Sequence, residues 1–109
     1  MPKSVLLSNW YYNVFKEWPT DHWHYKAINA YEFLDKHGFE QVPCCSFAEG
    51  ISANIEQTLA HGKKVISPDK LKGYLIAPWL HAKEDNLYLI KYNIHLMNRA
   101  RAKYYPETL

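Results

Sequence analysis

The stretch FAEGISANIEQTLAHGKKVI, residues 47–66, sets a glycine at either end of a helical pattern and follows it with a short apolar run. Gly50 supplies a turn and Gly62 a C-terminal stop, so the spacing predicts a helix from Ile51 to His61 and a strand over KKVIS. Ile51, Ile55 and Leu59 recur every four residues, which gives that helix one apolar face. A helix of this kind between extended segments needs a sheet to pack on, and this restricts the chain to architectures that layer helix against sheet.

The rest of the chain repeats the alternation. SVLLSN, residues 4–9, reads as a buried first strand. WYYNVFKEWPTDH, residues 10–22, contains a proline and no period and is predicted to be a long loop. Thr20 or Asp21 can cap a helix from about His22 to Lys36, with Ala27, Ile28, Tyr31 and Leu34 on one side and His37 and Gly38 ending it. FEQVPCCSF, residues 39–47, is a second strand, with Pro43 pointing to a sheet edge.

SPDKLKG forms a loop and YLIAP a short strand, and residues 83–104 form a long helix. Its apolar stripe is Leu87, Ile90, Ile94 and Met97, with Arg101 and Tyr104 continuing the line. The stripe is too short for a coiled coil and predicts core packing, with the exposed face left for docking or dimerisation. Strands alternating with helices predict a single α/β domain over residues 1–109, three-layered, flavodoxin-like or Rossmann-like, with a mostly parallel sheet and a long C-terminal helix.

At 109 residues, 48% hydrophobic and 22% charged, the chain has the balance of one globular domain. It holds no apolar run near the roughly 20 residues of a membrane helix and no signal-peptide pattern at MPKSVLLSNWYYN, so a soluble cytoplasmic protein is expected. A net charge of +2 is too small to argue by itself for a nucleic-acid partner, although Arg99, Arg101 and Lys103 form a basic cluster near the end, and nucleic acid is a minority reading. Cys44 and Cys45 are adjacent and expected to stay reduced. Aromatic residues make up 16%, concentrated at Trp10, Tyr11, Tyr12, Phe15, Trp18, Trp23 and Tyr25, where they build either a core or a stacking and docking surface.

The run Gly50, Ile51, Ser52, Ala53, Asn54, Ile55, Glu56, followed by Ala60, Gly62, Lys63 and Val65, resembles the signature of the nucleoside 2-deoxyribosyltransferase-like superfamily and its short phage and bacterial relatives. The resemblance implies a flavodoxin-like fold and a nucleoside or nucleotide ligand. In that family the motif's Glu attacks the anomeric carbon of the sugar; the matching position here is Asn54, an uncharged amide that cannot serve as this nucleophile but can hydrogen-bond a ribose hydroxyl. Glu56 lies about 200° further round the helix, and Glu49 stands just before the turn; these are the two carboxylates a surviving hydrolase could use. Ser8, Asn9, Trp10 and Tyr11 occupy the place of the family's base-contacting turn, and Trp10 or Tyr11 is the candidate for stacking on a base. Relatives complete their sites across dimers, so a homodimer is a further expectation.

Other constellations carry less. His22 and His24 form an HxH pair whose rings would diverge by about 200° in a helix, and no third ligand follows, so no metal is expected. No P-loop is present, although the turn at Gly50 could still offer backbone N–H groups to a phosphate. The expected function is therefore binding or sequestration of a nucleoside or nucleotide without glycosyl transfer and without a cofactor, through Ser8, Asn9, Trp10, Tyr11, Glu49, Gly50, Ser52 and Asn54. The alternative is a protein-interaction module, such as a small phage-type inhibitor, docking through the aromatic loop 10–25 or the C-terminal helix. A third is an N-glycosidase-type hydrolase using Glu49 or Glu56.

Overall fold

The structure, a computed structural model, describes residues 5–47, 53–77 and 87–108. These form a small mixed α/β domain in the order β1 (Leu6–Leu7), α1 (Trp23–Lys36), β2 (Glu40–Gln41), β3 (Cys44–Cys45), α2 (Ala53–Val65), β4 (Leu75–Ile76) and α3 (Leu87–Tyr104), closed by a 3₁₀ turn at Pro106–Thr108. β1 pairs with β2 and β3 with β4, both parallel.

Residues 40–45 run through both pairings and occupy the middle. On one side Val42 N–H reaches Leu7 O and Cys44 N–H reaches Asn9 O; on the other Gln41 bonds both ways with the 70–72 segment and Pro43 O accepts from Leu75 N–H. Pro43 therefore does not mark an edge. Its missing N–H falls on the β4 side, and there the neighbouring chain carries one extra residue: Gln41 stands opposite Leu71, but Cys44 stands opposite Leu75. Gly73, at φ +140°, lies in that bulge, where a side chain would be strained.

α1 begins one residue later than Thr20 or Asp21 would dictate. A turn joining His22 N–H to Pro19 O brings His22 to the cap position, and its Nδ1 accepts from His24 N–H at 3.1 Å. The expected stop at His37 and Gly38 is observed. Gly38 at φ +80° donates to Asp35 O and Phe39 N–H to Leu34 O, a Schellman closure.

α2 corrects the sequence reading at Gly62. The helix runs on to Val65, so KKVIS is not a strand. Gly62 is instead an interior, buried helical residue on which the Tyr74 ring rests; a Cβ there would collide with the Tyr74 hydroxyl. Close approach of a neighbour, not helix termination, explains the glycine. The chain then turns at Ser67, whose N–H and Oγ both bond the Asp35 carboxylate at 2.9 Å.

Gln41 and Cys45 point to one face of the sheet, where Gln41 Nε2 bonds Tyr31 O of α1 and Cys45 packs with Ile55 and Leu59 of α2. Both crossover helices thus cover one face, as right-handed connections between strands in chain order require. α2 packs on both β3 and α3, α3 also meets β4, and Ala100 of α3 completes the central cluster with Leu96, Met97, Tyr74, Tyr104 and Tyr105 around it. The inward line of α3 is Asn93, Leu96, Met97, Ala100 and Tyr104, so Met97 and Tyr104 of the expected stripe face the core, whereas Ile94 is 49% exposed. The first strand also differs from expectation, since Leu6 is 53% exposed. No described helix is long and apolar enough to cross a membrane.

Candidate functional site

The carboxyl ends of the strands are knitted together by buried carboxamides. Asn54, in the first turn of α2, is fully buried; its Oδ1 accepts from Ser46 N–H at 3.1 Å, and its Nδ2 donates to Tyr11 O at 2.9 Å and Asn13 O at 2.8 Å. Both amide hydrogens are committed to backbone. Asn93 does the same from α3, its Oδ1 accepting from Phe47 N–H at 2.8 Å and its Nδ2 donating to Leu89 O. Ser46 Oγ donates to Ala77 O, so the ends of the central segment and of β4 are joined as well.

Tyr11 enters this region from the other side. It is 1% exposed, and its hydroxyl contacts Val14 O at 2.9 Å and His24 Nδ1 at 2.8 Å. A carbonyl only accepts, so both are hydrogen bonds when Tyr11 donates to Val14 and neutral His24 donates its Nδ1–H to Tyr11. Around the pair stand Phe15, Trp18 and Trp23. Burial, then the neighbouring His22 and Lys16, lower the His24 pKa and favour the neutral ring. Burial raises the Tyr11 pKa, opposed in part by the Trp18 indole N–H, although that N–H makes no hydrogen bond of ordinary geometry.

The remaining expected residues separate. Trp10 is 63% exposed and bridges Cys44, so it points to the sheet face away from α1 and α2. Of Trp10 and Tyr11, only Trp10 offers a ring that a base could reach. Ser8 is exposed, and Asn9 is turned to α1, its Nδ2 bonding Ala27 O at 2.9 Å. Glu49, Gly50 and Ser52 lie outside the described residues.

Glu56 is elsewhere altogether. It is exposed, paired with Lys103 Nζ at 2.6 Å and Tyr104 Oη at 3.1 Å, beside a cleft of about 180 Å³ that also includes Arg99. These hydrogen bonds hold its carboxyl below the usual range, an ionised surface carboxylate and not a proton donor. His22 and His24 do not diverge as a helical pair would. His22 sits at the cap outside the helix, and the two rings approach to 4.8 Å. Among the described residues no group of three or more metal-ligating side chains forms.

Asn93 and Gln57, whose Oε1 accepts from Phe15 N–H at 2.9 Å, were not singled out by sequence, and His24 was singled out only as a metal-ligand candidate. Asn93 and Gln57 act through distant backbone groups and His24 through the distant Tyr11 hydroxyl, which nothing local in the sequence announces. No protein-family model matches the chain, and neither a curated protein nor a solved structure matches it.

Proposed function

We propose that the chain binds a nucleoside or nucleotide at the carboxyl edge of its parallel strands and holds it without glycosyl transfer, in a flavodoxin-like, Rossmann-like form of the α/β fold. The observation that carries this reading is Asn54: where the resembling enzymes have a nucleophilic Glu, a buried amide has spent both hydrogens on the backbone of Tyr11 and Asn13. Asn54 shapes the site as a positioning residue and has no charge to attack a sugar. Open parallel sheets bind ligands beyond the carboxyl ends of their strands, which supports the placement. The described strands stand in chain order, without the reversal that opens a crevice in doubly wound sheets, so contact falls to the start of α2 and to Trp10. In this reading Trp10 stacks on the base, Ser8 and Ser52 bond the sugar, and backbone N–H groups after Gly50 receive a phosphate.

The test is a thermal-shift screen against nucleosides, nucleotides and cyclic nucleotides, with chromatography for released base. Ligand at 100 times its dissociation constant adds about 2.7 kcal/mol to stability. A shift that Trp10→Ala abolishes, with no free base, supports the proposal; no shift with any compound removes it.

A second reading rests on different residues. Trp23, Tyr25 and Phe33 of α1 are exposed, as is Trp10, and large exposed aromatics suit a protein-docking surface. A partner captured by the wild type and lost in a Trp23→Ser, Phe33→Ser variant that melts normally would favour it.

A further inference from the structure

A cavity of about 530 Å³ lies between Leu59 in the middle of α2, the C-terminal half of α3, the 3₁₀ turn and the segment leading into β4. It is remote from Asn54: Leu71 in its wall bridges Gln41, at the amino end of the central segment, while Asn54 closes the carboxyl end. The volume is that of a small-ligand pocket. Leu59, Leu71 and Met97 supply apolar wall, and Tyr74 and Tyr105 add two rings whose hydroxyls meet at 2.6 Å.

The rim is charged, and its charges are unequally answered. Lys72 is paired with Glu40 at 3.0 Å. Arg101 is fixed in place by Thr108, whose Oγ1 accepts from Nε at 2.8 Å and whose carbonyl accepts from Nη2, but both acceptors are neutral. Among the described residues no carboxylate stands within ion-pair distance of Arg101. Its guanidinium is thus held beside a largely apolar cavity with no ion pair among the described residues, and Glu107 is an acidic residue in the same lining.

We infer that this cavity binds a small anion with an apolar body, an aromatic or aliphatic carboxylate, its apolar part against Leu59, Leu71 and Met97 and its carboxylate on Arg101. Guanidinium suits a carboxylate because two parallel N–H donors match two oxygens. This site is independent of the nucleotide reading and survives its failure.

The test is a two-dimensional amide NMR titration of the full chain with 4-phenylbutyrate and, separately, its neutral amide. Saturable shifts at Leu59, Gly73 and Met97 are expected, with the amide about tenfold weaker, the factor that roughly 1.4 kcal/mol makes. Arg101→Gln weakens the carboxylate to the level of the amide. Arg101→Lys, which keeps the charge but loses the paired donors and the bonds to Thr108, binds the carboxylate more weakly than wild type yet keeps a preference for acid over amide that Arg101→Gln lacks. Glu107→Gln tightens binding by removing a like charge. Equal affinity for acid and amide, an affinity unmoved by Arg101→Gln, loss of the acid preference in Arg101→Lys, or the absence of saturable shifts would each overturn the inference.

Discussion

The side-chain amide of Asn54 donates to the carbonyl of Tyr11 at 2.9 Å, tying the start of α2 to the loop that leaves β1. The same group serves Asn13 O and Ser46 N–H. Asn54→Ala should strand three buried backbone groups, each costing about 1–3 kcal/mol if no water replaces the bond, and lower stability by roughly 3 kcal/mol. Asn54→Glu should be as damaging, because a carboxylate has no hydrogen to offer the two carbonyls. Urea unfolding measures this as a shift in midpoint at unchanged slope; a variant within about 0.5 kcal/mol of wild type would show that Asn54 is not the clamp described.

At Gly62 helix propensity and packing oppose one another. Gly→Ala inside a helix ordinarily gains up to about 1 kcal/mol, but here the new Cβ meets the Tyr74 hydroxyl. Gly62→Ala is expected to destabilise, and to do so less in a Tyr74→Phe background, where the hydroxyl is gone. A double-mutant cycle gives the coupling directly. Additive effects would mean that the Tyr74 oxygen does not set the requirement for glycine.

Acid should loosen the aromatic region before the carboxylates titrate. His24 and His61 both have pKa values lowered from 6.5, chiefly by burial, so the unfolded chain binds more protons than the native one as pH falls below 6.5. Their contribution is complete above about 6.5 and is lost as pH falls through the lowered native values. Melting temperatures at pH 7, 6 and 5 should fall, with a shallower slope in His61→Gln. A flat profile down to pH 5 would contradict the buried neutral histidines.

Cys45 should be chemically silent in the native protein. It is fully buried, and burial, with a smaller effect from Cys44, pushes its thiol up to about 12. At pH 8 the thiolate fraction is then roughly one in ten thousand. In a Cys44→Ser variant, labelling by a thiol reagent should be at least about a hundredfold slower than in urea. Rapid native labelling would place Cys45 near solvent.

The alternation of strand and helix was legible because it depends on local pattern: the spacing of Ala27, Ile28, Tyr31 and Leu34 and the stop at Gly38 gave α1 correctly to within a residue. The misreadings depend on partners distant in sequence. Gly62 looked like a terminator because nothing local announces Tyr74. Pro43 looked like an edge residue because the bulge that accommodates it lies some thirty residues on, between Leu71 and Leu75. On α3 Met97 and Tyr104 were read correctly, but Ile94 was taken as inward in place of Asn93, a polar residue that serves Phe47 N–H. Trp10 and Tyr11 are adjacent and equivalent in sequence, yet the pleat sends one to solvent and the other to His24.

The proposal that the carboxyl edge binds a nucleotide without transfer is open to direct test. Its most direct measurement is an amide NMR titration with a nucleoside and its 5′-monophosphate, run beside an assay for free base. Saturable shifts are expected at Trp10, Ser46 and Asn54, lost in Trp10→Ala, with no base released from the wild type. Shifts confined to other regions, no shifts at all, or release of base would contradict it.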